Sequence, residues 1–481
     1  MATAVSVAAL MSAGGASATD IGANDDTGKY AADSGGAFFA QMAALGLRQS
    51  VMTTRFLPRS PIMIQDEESL DRAIPLAHLA GLRVSLAVYP YPASEVADGF
   101  ATPASFAAWL TRVAERYRTV KQFVVMNEPN QPAFLRPQFR ANGRNASAGV
   151  AGGFLAAGYD ALKAVDPAIR VIGLGLSPRG NDRSDAVSNV STSPVRFLTA
   201  LGRWYRTTGR QLPLMDGLAF HPYPNHATDP LERGYPWPNA GFANLGRIKQ
   251  ALWDAFRDTS QPTTVTGLKL YLDEVGWQVD TSAFTGYSGT ENVKVTSDAA
   301  QARVYAGLVR AAACDPQLAE VNIFGFFDDR PRDSGFQAAL NRVDGTPRAS
   351  ANAVRAAIAD TMTGCRGVMS VWYPTKRVVG SQRPDWTIED REVIRFDAIA
   401  AEGASVIACL LPGQLGGVAA ATVMARQTAR SPGCAAGTAL PNRPARFSLR
   451  RGRPLAPVTV AVRLVAETSP KRSSTYSRTL R

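Results

Sequence analysis

Short apolar runs alternate eight times with longer stretches whose apolar residues recur with a period of 3.6, and this alternation constrains the chain more than any other feature. The runs fall at 20–24, 46–53, 83–89, 122–126, 171–176, 217–220, 269–272 and 321–327. Clear helical stretches lie at 69–80, 104–117, 153–165, 195–206, 245–256, 298–313 and 349–361, and Ser34-Gly35-Gly36-Ala37 opens the first helix. Pro75 sits inside the 69–80 pattern and is expected to kink that helix or shift its start. Eight β-α units across 20–364 predict a (β/α)8 barrel with enlarged loops, within the size range of such barrels, about 200 to over 400 residues. A doubly wound sheet would carry a glycine-rich phosphate turn after its first strand. That position holds Gly22-Ala23-Asn24-Asp25-Asp26, so the barrel is preferred.

At 481 residues the chain is too long for one ordinary core, and the pattern changes near Gly367. Helical periodicity stops, and short alternating runs at 368–373, 393–396, 405–411, 446–449 and 458–465 predict a small β-sandwich-like domain over 367–481. From Arg430 onward Glu467 is the sole acid, whereas the net charge of the whole chain is +12. Such a basic tail fits an anionic surface or a solvated face, and no RNA- or DNA-binding motif accompanies it. Residues 1–18 form a short run of small and apolar residues ending in Ala16-Ser17-Ala18, which reads as a secretory signal and predicts a secreted protein. The run is too short to span a membrane. It lacks a positive n-region, so the true start is expected upstream of Met1. Cys314, Cys365, Cys409 and Cys434 lack the CxxC spacing of zinc or redox sites. Export favours disulfides, and Cys314–Cys365 with Cys409–Cys434 is the simplest of three pairings.

The active site of a (β/α)8 barrel lies at the C-terminal ends of its strands. There this chain places Asn24 on strand one, Tyr89 on strand three, Asn127-Glu128 on strand four and His221-Pro222-Tyr223 on strand six. Strand seven adds Glu274 followed by Trp277, and strand eight adds Phe327. Hydrogen-bonding groups among aromatics suit a sugar, which has an apolar face and a rim of hydroxyls. Two glutamates on opposite strands match the two carboxyls that glycoside hydrolysis needs.

Asn127-Glu128-Pro129, the His221-x-Tyr223 turn and the second glutamate, in this order on the strands, resemble the clan A glycoside hydrolases. Within that clan, the His-Pro-Tyr-Pro turn and the Gly345-Thr-Pro-Arg-Ala-Ser run look most like family thirty-nine and cellulase-type bacterial exported enzymes. The resemblance implies a retaining barrel hydrolase acting on an oligo- or polysaccharide with β linkages. By the resemblance, Glu128 is the general acid/base and Glu274 the nucleophile. Asn127 would bind the sugar 2-hydroxyl, and Tyr223 would donate to Glu274 and keep it ionised. His221 would bind substrate or brace the site, with Trp277 and Phe327 as stacking platforms. Two departures stand out. Arg48 and Arg55 are out of register with the clan's strand-two arginine, and Phe326-Phe327 replaces a strand-eight tryptophan. A silent carbohydrate-binding or cell-surface protein on the same barrel is the alternative. No cofactor is implied and no metal motif is present.

Overall fold

The computed structural model describes residues 19–366, 372, 374, 382–389, 393–400, 403–440, 445–450, 458–466 and 473–480. The expected secretory signal at 1–18 and most of the expected 368–373 run lie outside the described residues. Eight parallel strands close into a barrel: β1 (Asp20–Asn24), β2 (Gln49–Phe56), β3 (Arg83–Pro90), β4 (Gln122–Val125), β5 (Arg170–Leu176), β6 (Gly217–Phe220), β7 (Lys269–Val275) and β8 (Leu318–Phe324). They follow chain order, and β8 pairs with β1 to complete the ring.

Local sequence accounts for the elements. The helix Pro103–Arg116 starts at a Thr102–Ser105 capping box with Pro103 in its first turn. It buries Phe106, Trp109, Leu110 and Val113, the one-face spacing of an amphipathic helix. Each such large side chain contributes about 1.5–3 kcal/mol on burial. The helix Glu67–Leu79 runs through Pro75, and it begins two residues before the expected 69. Strand β8 differs more. It ends at Phe324 because Gly325 takes φ +87°, so Phe326 and Phe327 lie in the following loop.

Two layers fill the barrel. One apolar layer takes a residue from each of six strands: Val51, Ala87, Val124, Ile172, Ala219 and Tyr271. Below it, toward the N-terminal ends, lies a polar layer. Gln49 and Gln122 both donate to Ser85 Oγ, Gln122 donates to Glu320 at 2.9 Å, and Asn322 donates to Glu320 at 2.6 Å.

Among the described residues, the C-terminal part is antiparallel sheet with one helix, Gly417–Met424. Its strands are β9 (Gln382–Glu389), β10 (Val393–Ala400), β11 (Ala404–Pro412), β12 (Cys434–Ala439), β13 (Ala445–Arg450), β14 (Val458–Ala466) and β15 (Ser473–Leu480). Sheets β13-β10-β9 and β12-β11-β14-β15 share one apolar cluster that joins Ile394 and Phe447 to Val406 and Val462, a sandwich. The strands absent from the sequence reading, β9, β12 and β15, are all sheet edges, where polar residues, Pro384 and glycine are tolerated. Disulfides join Cys314 to Cys365 and Cys409 to Cys434. Among the described residues no helix is long and apolar enough to cross a membrane.

Candidate active site

Successive side chains of a strand face opposite ways, so the parity of the apolar layer tells which residues enter the mouth above it. That parity carries β2 from Val51 to Arg55, β3 from Ala87 to Tyr89 and β6 from Ala219 to His221. On β7 it carries Tyr271 to Asp273, and leaves Glu274 facing outward. A one-residue bulge corrects this. Between Leu272 and Val275 strand β7 advances three residues while β8 advances two, and both Asp273 and Glu274 reach the mouth. A matching bulge lies on the other side of β6, between Gly173 and Leu176 of β5. It places Gly175 at φ +51°, where an added Cβ would come within 2.8 Å of His221 Nε2. Two bulges thus make room around one histidine.

His221 is fully buried, and three carboxyls converge on it. Its Nδ1 lies 3.1 Å from Glu128 Oε1 and 3.4 Å from Glu274 Oε2. Its Nε2 faces Asp273 Oδ1 at 3.2 Å, an ion-pair contact off the line of a good hydrogen bond. Burial opposes a charge on this ring, but Glu274 and then Asp273 outweigh it and hold His221 well above the ordinary histidine range. These neighbours favour the imidazolium form of the ring, and its Nδ1 lies within hydrogen-bond reach of Glu128 Oε1.

Glu274 also accepts from Tyr223 Oη at 3.0 Å and from Asn24 Nδ2 at 3.5 Å. The tyrosine was expected to keep this carboxyl ionised. It does donate, yet burial prevails. Desolvation, reinforced by Glu128 and Asp273 against the pull of His221 and Tyr223, pushes Glu274 up to about 7.

Glu128 is displayed on an unusual backbone, with φ +73° at Met126 and φ +38° at Glu128 itself. Positive φ at non-glycine residues stores strain, and such outliers gather at functional sites. The surroundings fix this one. Glu128 N–H donates to Gly175 O at 2.9 Å, and buried Asn130 bonds Ser177 through both its carbonyl and its amide. Asn127 is half-buried beside Glu128.

A cleft of about 610 Å³ opens above these groups, with Glu128, Glu274 and Tyr223 on its surface. Phe134, Tyr235 and Phe336 give it aromatic walls, and Phe336 also stacks edge-on against Tyr223 at 5.4 Å. Tyr235 Oη braces the turn from below by donating to Tyr223 O at 3.0 Å.

Two expected platforms are corrected. Trp277 is 2% exposed and donates its indole N–H to Asp229 O, and its ring packs in the core edge-on to Tyr305. Phe327 packs on Phe38 and Phe326. The strand-eight aromatic at the site is instead Phe324, which stacks edge-on with Tyr223 at 6.2 Å and Phe336 at 5.5 Å. Tyr89 is buried and accepts from Arg55 Nε at 3.1 Å, so the strand-two arginine meets a tyrosine rather than either glutamate. Asp273 escaped the sequence reading although its inward parity with Tyr271 was visible. Phe336 and Tyr235 lie in long loops that leave no periodic signal.

No family model and no curated protein matches this chain. Among solved structures, a family 39 glycoside hydrolase from Bacteroides cellulosilyticus WH2 aligns at 14% identity over 91% of this chain and 81% of that one, with a TM-score of 0.49. GH5_18 from Streptomyces cattleya aligns at 14% identity over 71% of this chain and 80% of that one, TM-score 0.46. Native xylanase 10B from Thermotoga maritima aligns at 11% identity over 71% and 95% of the respective chains, TM-score 0.42.

Proposed function

We propose that this chain is a retaining glycoside hydrolase that cleaves a β-linked glycan through a glycosyl-enzyme intermediate on Glu274. One observation carries the reading: a single nitrogen, His221 Nδ1, is shared by Glu128 and Glu274 at 3.1 and 3.4 Å. Their nearest oxygens are separated by no more than those two lengths laid end to end. That reaches only the lower edge of the inverting range of about 6.5–9.5 Å and leaves the retaining spacing of about 5–5.5 Å open.

Chemistry follows from the positions. Ionised Glu274 attacks the anomeric carbon while Glu128 protonates the departing glycosidic oxygen. Glu128 then takes a proton from water as that water attacks the anomeric carbon and the Glu274 carboxylate departs. Because the two carboxyls and the imidazolium are coupled, the proton inventory belongs to the cluster. Asp273 stabilises the charge on His221, and the charged ring in turn keeps two carboxylates tolerable at short range. Tyr223 holds the Glu274 oxygen in line. Asn127, half-buried beside Glu128, is assigned to a sugar hydroxyl, Asn24 to holding Glu274, and Phe134 and Phe336 on the cleft wall to an apolar sugar face.

Two oxidised cysteine pairs support export, since disulfides persist in oxidising compartments. The basic region beyond Arg430 supports contact with an anionic surface. The deciding experiment is hydrolysis of aryl β-glycosides and β-linked oligosaccharides by the wild type beside Glu128→Gln and Glu274→Gln. Product of retained configuration from the wild type alone is the expected result. Undiminished hydrolysis in either variant would remove the assignment.

A further inference from the structure

The charges around the cleft are uneven. Among the described residues its acidic lining consists of the two carboxyls of the proposed reaction, whereas Arg179, Lys294 and His226 also line it. These three come from three consecutive loops, after β5, β6 and β7, and the two cations, Arg179 and Lys294, share one opening. Arg179 and Lys294 are exposed, and neither forms an ion pair with a described residue. Three acids of the same loops are engaged elsewhere. Asp182 pairs with Arg196 at 3.3 Å, Asp185 with Arg183 at 3.3 Å and Asp229 with Arg233 at 3.6 Å. Glu291, three residues before Lys294, has buried side-chain oxygens with no hydrogen-bond partner and makes no ion pair with that lysine.

Two unneutralised cations facing a catalytic cleft are a poor fit to an uncharged chain of sugar and a good fit to an acidic one. We infer that the glycan bound here is anionic, with a carboxylate or sulfate substituent held between Arg179 and Lys294 while the scissile linkage lies over Glu128 and Glu274. The inference rests on the glycosidase reading of the cleft. Arg179 can meet an oxyanion with paired N–H donors, and Lys294 adds a point charge that adapts to either group. Opposite charges at such a mouth also concentrate an anionic ligand, an effect that salt screens.

The test separates binding from cleavage. Full-length protein and Glu274→Gln are titrated with β-linked oligosaccharides bearing uronates, with sulfated ones and with uncharged counterparts, at low and high salt. The expected result is roughly tenfold or tighter binding of one anionic set over the neutral set at low salt, shrinking at high salt. In the Arg179→Gln/Lys294→Gln double variant, whose changes are on the surface, the anionic-to-neutral ratio falls toward one. The uronate and sulfate arms identify which group is read. Equal binding of neutral and anionic ligands, or a preference that survives the double variant, overturns the inference and leaves hydrolysis of neutral glycans to stand by itself. Charge-dependent binding of ligands that the wild type never cleaves upholds the cation assignment and overturns the glycosidase reading.

Discussion

The barrel holds a buried carboxyl near each of its ends, Glu274 at the mouth and Glu320 in the polar layer below, and burial raises both to about 7. Their surroundings differ in kind. Glu320 meets neutral amides, Gln122 and Asn322, which solvate it without supplying charge. Glu274 meets an imidazolium, a phenol and two further carboxyls, and it opens onto a cleft. A raised carboxyl is therefore no sign of catalysis by itself. What separates the two is whether the neighbours can exchange charge with the group and whether a ligand can reach it. Glu320 is a bridge in a closed layer, where burial makes it hold its proton more tightly than a free carboxyl does. Glu274 is one member of a cluster whose charge can be redistributed.

Isosteric amides break this comparison most sharply. Glu274→Gln is expected to lower kcat/KM by on the order of 10⁴-fold or more, as removal of the proposed nucleophile would. Glu320→Gln should leave kcat/KM within about twofold. Comparable losses in the two variants would mean that the lower carboxyl serves the reaction and that the division drawn above is wrong.

The next effect is on stability. A carboxyl held near 7 when folded and at 4.5 when unfolded binds its proton more tightly in the native state. Between those values the unfolded chain gives up the proton while the folded one keeps it, so stability falls as pH rises through the window and stays reduced above it. Glu320→Gln removes that loss, worth about 3 kcal/mol at most from the size of the shift. Denaturant midpoints of the variant and wild type should converge near pH 4 and separate in favour of the variant near pH 8. A constant offset at the two pH values would show that the amide bonds, rather than the proton, set the energy.

The same contrast marks how far the sequence could be read. The barrel was legible because eight apolar runs alternate with amphipathic stretches, and Glu128, His221 and Tyr223 were legible because they follow such runs. Glu274 was placed correctly at the mouth, but strict alternation points it outward, and the bulge that turns it in arises from pairing with β8. The polar layer was invisible for a related reason. Gln49, Gln122 and Glu320 read as ordinary polar residues at strand starts until closure of the ring brings them together. Trp277 shows the converse error, since its spacing from Glu274 implied the cleft while the indole bond to Asp229 O and packing on Tyr305 hold the ring in the core.

The smallest effect tests the coupling itself. The proposed reaction needs Glu274 ionised, so kcat/KM should climb with pH through about 7 on its acid side. An aryl β-glycoside with a good leaving group lets this limb be read without help from the general acid. Glu128→Gln removes a negative neighbour that raises Glu274, and the limb should move down by roughly one pH unit. His221→Asn removes the positive neighbour that lowers Glu274, and the limb should move up by a similar amount. Glu320→Gln, which alters neither neighbour, should leave the limb in place. Opposite shifts from the two mouth variants, with none from the lower one, are what a cluster of exchanging charges must give. Shifts of the same sign would mean that the limb reports a group other than Glu274.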